Sequence, residues 1–230
     1  METFGHTEAI YHCDETKHVM VTTVLASIPF AHWDDAIKKM FKDASDGFCL
    51  VITNSTIFYA KGGSQPNDTG TMKSRDQASI FTVTSVQKLP SRTIMHLGIY
   101  TGVPFEEQML VTQEINKDAR KLHSQIHDAG HILASAVRRL GIPGLREVKA
   151  QHYPGSAFID FQGVIQSDKK EEIKRLANEI VDDDRSITVH WWPREELKVK
   201  SWIMPEDCDG KDGLIRAVEI DDEGAYESLK

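Results

Sequence analysis

His127 and His131 stand four residues apart in the run DARKLHSQIHDAGHIL, Asp118 to Leu133. On a helix that separation places two imidazoles one turn apart on the same side. This is how a helix offers two nitrogens to one zinc ion, and His123 extends the row by another turn. No Glu follows His127, so the metalloprotease pattern His-Glu-x-x-His is excluded. The plainer reading is a pair of helix histidines at the edge of a buried stripe, and the spacing alone does not separate the two. A second group is the stretch Gly62-Gly63-Ser64-Gln65-Pro66-Asn67-Asp68-Thr69-Gly70. Its glycines let backbone approach a ligand closely, and its Gln, Asn and Thr bring neutral hydrogen-bonding groups. It lacks the Gly-Lys-Ser/Thr ending of a phosphate loop. Taken by itself it also reads as a surface turn.

The helix that would carry the histidines is marked by its period. Ala119, Leu122, Ile126, Ala129, Leu133, Ala136, Val137 and Leu140 recur at three or four residues, up to Gly141. A second amphipathic helix is expected over 168–181, with Ile173, Leu176, Ala177, Ile180 and Val181 on one face. Ala157 to Phe161, Ser186 to Trp192 and Leu214 to Ile220 read as strands. Trp191 and Trp192 read as core at a strand end. In the first half, His18 to Pro29, Ser79 to Val86 and Arg92 to Tyr100 have β-type composition. Cys49 to Tyr59 reads as a hairpin turning at Asn54-Ser55, and Lys61 to Lys73 as a loop. The expected fold is therefore α+β. A small β-barrel over 1–112 is followed over 113–230 by an α/β domain with helices on a mixed sheet.

Composition bounds the function. The chain has 230 residues, 27 Lys+Arg against 35 Asp+Glu, and three Cys. Cys13, Cys49 and Cys208 are scattered and suggest a reducing, cytoplasmic setting. No apolar run approaches a membrane span, and the start METFGHTEAIYHCDETKH lacks the layout of a secretory signal. The net charge of −8 is uneven, because residues 206–230 hold nine acids and three bases. The remainder is nearly neutral, so the total charge does not exclude a nucleic-acid partner. Arg138, Arg139 and Arg146 suit either phosphate contact or the favourable end of a helix dipole.

Read in order, FYAKGGSQPNDTG (Phe58 to Gly70), HLGIYTGVPF (His96 to Phe105) and DARKLHSQIHDAGHIL resemble the editing module of alanyl-tRNA synthetases. Free-standing AlaX-type proteins built from that module are the nearest likeness. HYPGSAFIDFQG (His152 to Gly163) and LIRAVEI (Leu214 to Ile220) follow in the matching order. The resemblance implies a β-barrel domain and an α/β editing domain that hydrolyses alanine tRNA wrongly charged with serine or glycine. It implies that Gln65 lines the aminoacyl pocket beside Gly62, Gly63 and Thr69. It also implies that His127 and His131 are catalytic and hold zinc, and that Asp118 and Arg120 make structural contacts at the helix start.

The chain departs from that pattern at several positions. The family's other two zinc ligands lie in a Cys-Gly-Gly-Thr-His motif after the last strand, where this sequence reads DDEGAYESLK. Two of four ligands thus have no counterpart, leaving His123, Cys208 or Asp209 as the candidates to complete a smaller site. Ala60 and Ser64 replace the family's Pro and Gly, and Gly130 replaces its Thr. Three functions follow: trans-editing of mischarged tRNA, hydrolysis of a small ester, thioester or polyketide-like substrate on the same fold, or a non-catalytic binding protein whose acidic end is its contact surface. The partner is accordingly tRNA or a small molecule, and the oligomeric state is left open.

Overall fold

A computed structural model describes residues 4–200, 214–221 and 224–227. Cys208 and Asp209, considered above as ligands, and most of the acidic end lie outside the described residues. In chain order the elements are β1 (Glu8–Ala9), β2 (Val19–Pro29), α1 (Asp35–Met40), β3 (Cys49–Thr53), β4 (Ser55–Thr56), β5 (Gly70–Ser74), β6 (Ile80–Lys88), β7 (Ile94–Thr101), β8 (Leu110–Ile115) and α2 (Lys117–Arg139). There follow β9 (Arg146–Gln151), β10 (Phe158–Gln162), α3 (Lys170–Asp182), β11 (Ile187–Pro193), α4 (Arg194–Lys200), β12 (Leu214–Ile220) and β13 (Gly224–Glu227). The chain divides into two compact units. The first is Met1–Gly62 with Pro66–Leu122, and the second is Gly63–Gln65 with His123–Lys230. Both helices and sheets are present, so the α+β class holds.

The first unit is a closed six-stranded barrel in the order β2-β3-β7-β6-β5-β8. Closure removes the exposed sheet edges that otherwise invite pairing with other chains. β3 is buried on both faces, which explains its unbroken apolar run. Val51 belongs to the cluster with Phe58, Met72, Phe81 and Val111. Leu50 and Ile52 face the other way and pack with Met95, Leu97 and Ile37 of α1. Asn54-Ser55 is not a hairpin turn. β3 pairs with β2 and β7, whereas β4 pairs in parallel with β1. The Asn54 side chain explains the difference, because its Oδ1 accepts from Thr22 Oγ1 (2.8 Å) and Thr23 N (3.0 Å) on β2. The expected loop over 61–73 yields to strand β5 from Gly70. β8 pairs with β2 and β5 and closes the barrel, so 113–115 belong to the first unit.

Loop and helix are tied together inside this unit by a buried ion pair. Arg120 Nε donates to both Asp68 oxygens at 3.0 Å, and a further guanidinium nitrogen also contacts Asp68. Arg120 also donates to the carbonyls of Ile57 (2.7 Å) and Glu15 (3.0 Å), and Tyr59 N donates to Asp68 (2.7 Å). A buried charge pair is tolerable only when its remaining donors and acceptors are met in this way.

In the second unit the strands form two antiparallel sheets, β9-β10 and β11-β12-β13, rather than one mixed sheet. β9 is not legible in the sequence because Val148 and Ala150 are its only apolar residues, and Val148 is exposed. α2 packs Ala134 against Ile180 of α3 and Ile220 of β12, with Ile159 and Phe161 of β10 alongside. Trp192, Leu197, Ile215 and Ala217 form a second cluster around α4, so Trp192 is core as expected. Glu and Lys cover the outer face of α3 with pairs such as Lys169–Glu172 (2.8 Å), each worth only tenths of a kcal/mol.

Candidate functional site

α2 is set by local chemistry before it is set by packing. Asn116 Oδ1 accepts from Ala119 N (3.1 Å) at its start, and Asp118 lies in its first turn. Arg138 and Arg139 occupy its last turn, and Gly141 leaves it with φ of 62°. Both ends therefore match the helix dipole and its capping needs. Its second-unit portion carries His127 and His131, whose rings stack with centroids 4.8 Å apart.

Two more segments reach these rings. Gly63 and Ser64 adopt successive left-handed conformations, φ 55° and 58°, which turn the chain so that Gln65 becomes buried. His127 Nδ1 and Gln65 Oε1 are 2.9 Å apart. An amide oxygen can only accept, so Nδ1 carries the proton and Nε2 keeps its lone pair. The other segment follows β9. His152, 4% exposed, stacks on His127 at 4.3 Å and 19°, and lies 6.1 Å from His131. Its backbone N–H donates to the Ser64 carbonyl (2.9 Å).

Of the expected site residues, Gly63, Gln65, His127 and His131 are thus assembled in the second unit. Gly62 and Thr69 belong to the first, where the Gly62 carbonyl accepts from Tyr59 Oη (3.2 Å) and the Thr69 carbonyl from Asn116 N (2.8 Å). The sequence reading missed His152, although it lies in a stretch, HYPGSAFIDFQG, that carried the resemblance. It also missed Arg216 of β12, whose charge acts on His127. Arg138 acts similarly on His131.

These surroundings keep the imidazoles uncharged. Burial, then the neighbouring His131, His152 and Arg216, push the His127 pKa down to about 2. Burial, then His152 and Arg138, push His131 down to about 3. Burial lowers His152 as well. Neutral imidazoles are the form that ligates metal. Among the described residues no group of three or more His, Cys, Asp or Glu could hold a metal ion. The histidine group offers a hydrogen-bond acceptor at His127 Nε2, on a half-buried ring under the positive charge of Arg216.

Over 175 residues, 75% of its length, the chain is 33% identical to the alanine–tRNA ligase of Pyrococcus abyssi. It is 31% identical over 175 residues to that of Thermococcus kodakarensis, and 30% over 203 residues, 85% of the chain, to that of Pyrobaculum aerophilum. The chain is a homologue of part of alanine–tRNA ligase. It spans only 19–22% of the length of these relatives. No protein-family model matches it. In this alanine–tRNA ligase homologue, no helix of the described residues is long and apolar enough to cross a membrane.

Proposed function

We propose that this homologue hydrolyses the ester of an aminoacyl-tRNA, removing serine or glycine from mischarged alanine tRNA. The observation that carries the reading is the His127–Gln65 hydrogen bond. It joins two motifs 62 residues apart in sequence into one partly buried polar group. Kinship with part of a tRNA ligase supports tRNA as the partner.

The chemistry follows from the protonation pattern. Water must attack the ester carbonyl, the carbonyl oxygen becomes negative, and the ribose hydroxyl leaves with a proton. An imidazole held at about pKa 2 is a poor proton acceptor at neutral pH. His127 therefore works by orientation, with Nε2 accepting a hydrogen bond from the attacking water. Gln65 holds the ring in the tautomer that permits this. The positive charge of Arg216 favours the developing oxyanion. Serine would be distinguished from alanine by a polar contact to its hydroxyl, since an unmet buried polar group costs about 1–3 kcal/mol.

The test is the deacylation rate of seryl- and glycyl-esters of alanine tRNA. His127→Ala and Gln65→Ala should each lower kcat by about 100-fold with an unchanged circular dichroism spectrum. Turnover by the wild type that neither substitution slows would remove the assignment.

A further inference from the structure

Mid-helix glycine is costly. At position 130, inside α2, glycine loses about 1 kcal/mol of helix stability relative to alanine. Nothing in the backbone of α2 requires it, because its φ is not among those in the left-handed region. What requires it is His152. A β-carbon at 130 would lie 2.8 Å from His152 Nδ1 and closer still to Cε1, a separation real β-carbons do not show. The missing side chain lets the imidazole approach the helix at Gly130. From there its other side stacks on His127 at 4.3 Å.

We propose that Gly130 and His152 form a lock that fixes the ring plane of His127, making His152 a positioning residue for the reacting site. Three contacts converge on it. The ring of His152 is seated on Gly130, its face covers His127, and its backbone N–H holds the Ser64 carbonyl next to Gln65. The loop that supplies the amide and the helix that supplies the imidazole are thus held by one residue. Without it, His127 could rotate about χ2, which swings Nδ1 away from Gln65 and frees the ring to carry its proton on either nitrogen. The inference rests on His127 acting in the proposed hydrolysis, but its structural content is measurable without any substrate.

The experiment is a double-mutant cycle with Gly130→Ala and His152→Ala, read by melting temperature and by 15N NMR of the histidine rings. In the wild-type background, Gly130→Ala should lower the melting temperature by about 5 °C, because the added methyl meets a packed ring. With His152→Ala the sign should reverse. The same methyl then enters vacated space and improves helix propensity, raising the melting temperature by about 2 °C. The His127 ring should carry its proton on Nδ1 in the wild type and on a mixture of nitrogens in His152→Ala. On seryl-tRNA substrates His152→Ala should lower kcat by about tenfold with KM nearly unchanged. An equal effect of Gly130→Ala in both backgrounds, or an unaltered His127 tautomer in His152→Ala, would overturn the lock. Absence of turnover on every tRNA ester would overturn the proposed function and leave the lock to be decided by the other two measurements.

Discussion

Single residues in this protein do their work through the proton and the torsion angle. His96 is fully buried in the barrel. It shares hydrogen bonds with Thr56 Oγ1 (2.8 Å) and the Val51 carbonyl (3.0 Å). Burial lowers its pKa from 6.5 to about 4, against the opposing effect of the Val51 carbonyl. Between those values the unfolded chain binds a proton that the folded one refuses. Stability is therefore full above pH 6.5 and falls as pH drops toward 4, by about 3 kcal/mol from this group. Urea midpoints should show the pH slope of stability reduced by about 1.4 kcal/mol per unit in His96→Leu. An unchanged slope would show that His96 titrates alike in both states. Ser64 makes the complementary case. The family places glycine there, and a φ of 58° gives the reason. Ser64→Gly should stabilise the fold by about 0.5–1 kcal/mol, measured by urea unfolding, because glycine adopts that conformation without a β-carbon clash. The sequence revealed Ser64 and Gly130 only as departures. Their causes, a left-handed turn and the ring of His152, exist only in three dimensions.

Elements were legible where one physical signal dominated. α2 and α3 are legible from a 3.6-residue period, although Leu122 and Leu133 of the α2 stripe and Val181 of the α3 stripe are exposed and Ala136, Val137 and Ile180 are the stripe residues that become buried. β2, β6 and β7 were read from β-branched composition. β5, GTMKS, and β9, REVKAQ, are not legible because each offers one large apolar side chain, Met72 and Val148, too few to set a period. Their pairing is decided by neighbours distant in sequence. Asn54-Ser55 reads as a turn in sequence but is none for a related reason, since asparagine there bonds to β2 instead of reversing the chain. Two elements of the barrel depend on glycine for close approach. A β-carbon at 98 would lie 2.8 Å from Phe81 Cζ and closer still to the Thr82 carbonyl oxygen, both on β6. Gly98→Ala should therefore cost about 2–3 kcal/mol by forcing β7 away from β6. The buried pair at the start of α2 should be more sensitive. Arg120→Met leaves the Asp68 carboxylate buried without its cation and should cost about 3–5 kcal/mol. Chemical denaturation of the intact chain measures both. A loss below 1 kcal/mol for Arg120→Met would mean that water or another cation reaches Asp68.

At the scale of the whole molecule, charge is the property that composition states and arrangement reinterprets. The net −8 would ordinarily argue against RNA, yet 24 bases and 26 acids are spread over residues 1–205. Where bases are described, many are answered locally by acids, as in Lys73–Glu114, Lys169–Glu172 and Arg185–Asp183. On the proposed function, the near-neutral balance of residues 1–205 leads to the expectation that tRNA binding draws on the aminoacyl end and on few phosphates. With about two phosphates neutralised, counterion release predicts that affinity falls only about tenfold between 50 and 200 mM salt, rather than the 10³- to 10⁵-fold of proteins making 6–10 such contacts. Fluorescence anisotropy of labelled alanine tRNA at a series of salt concentrations gives the slope. A shallow slope with binding weakened by Gln65→Ala would place recognition at the aminoacyl end. A steep slope, beyond about −5 on logarithmic axes, would place it on a basic surface and require a different account of how this chain engages RNA.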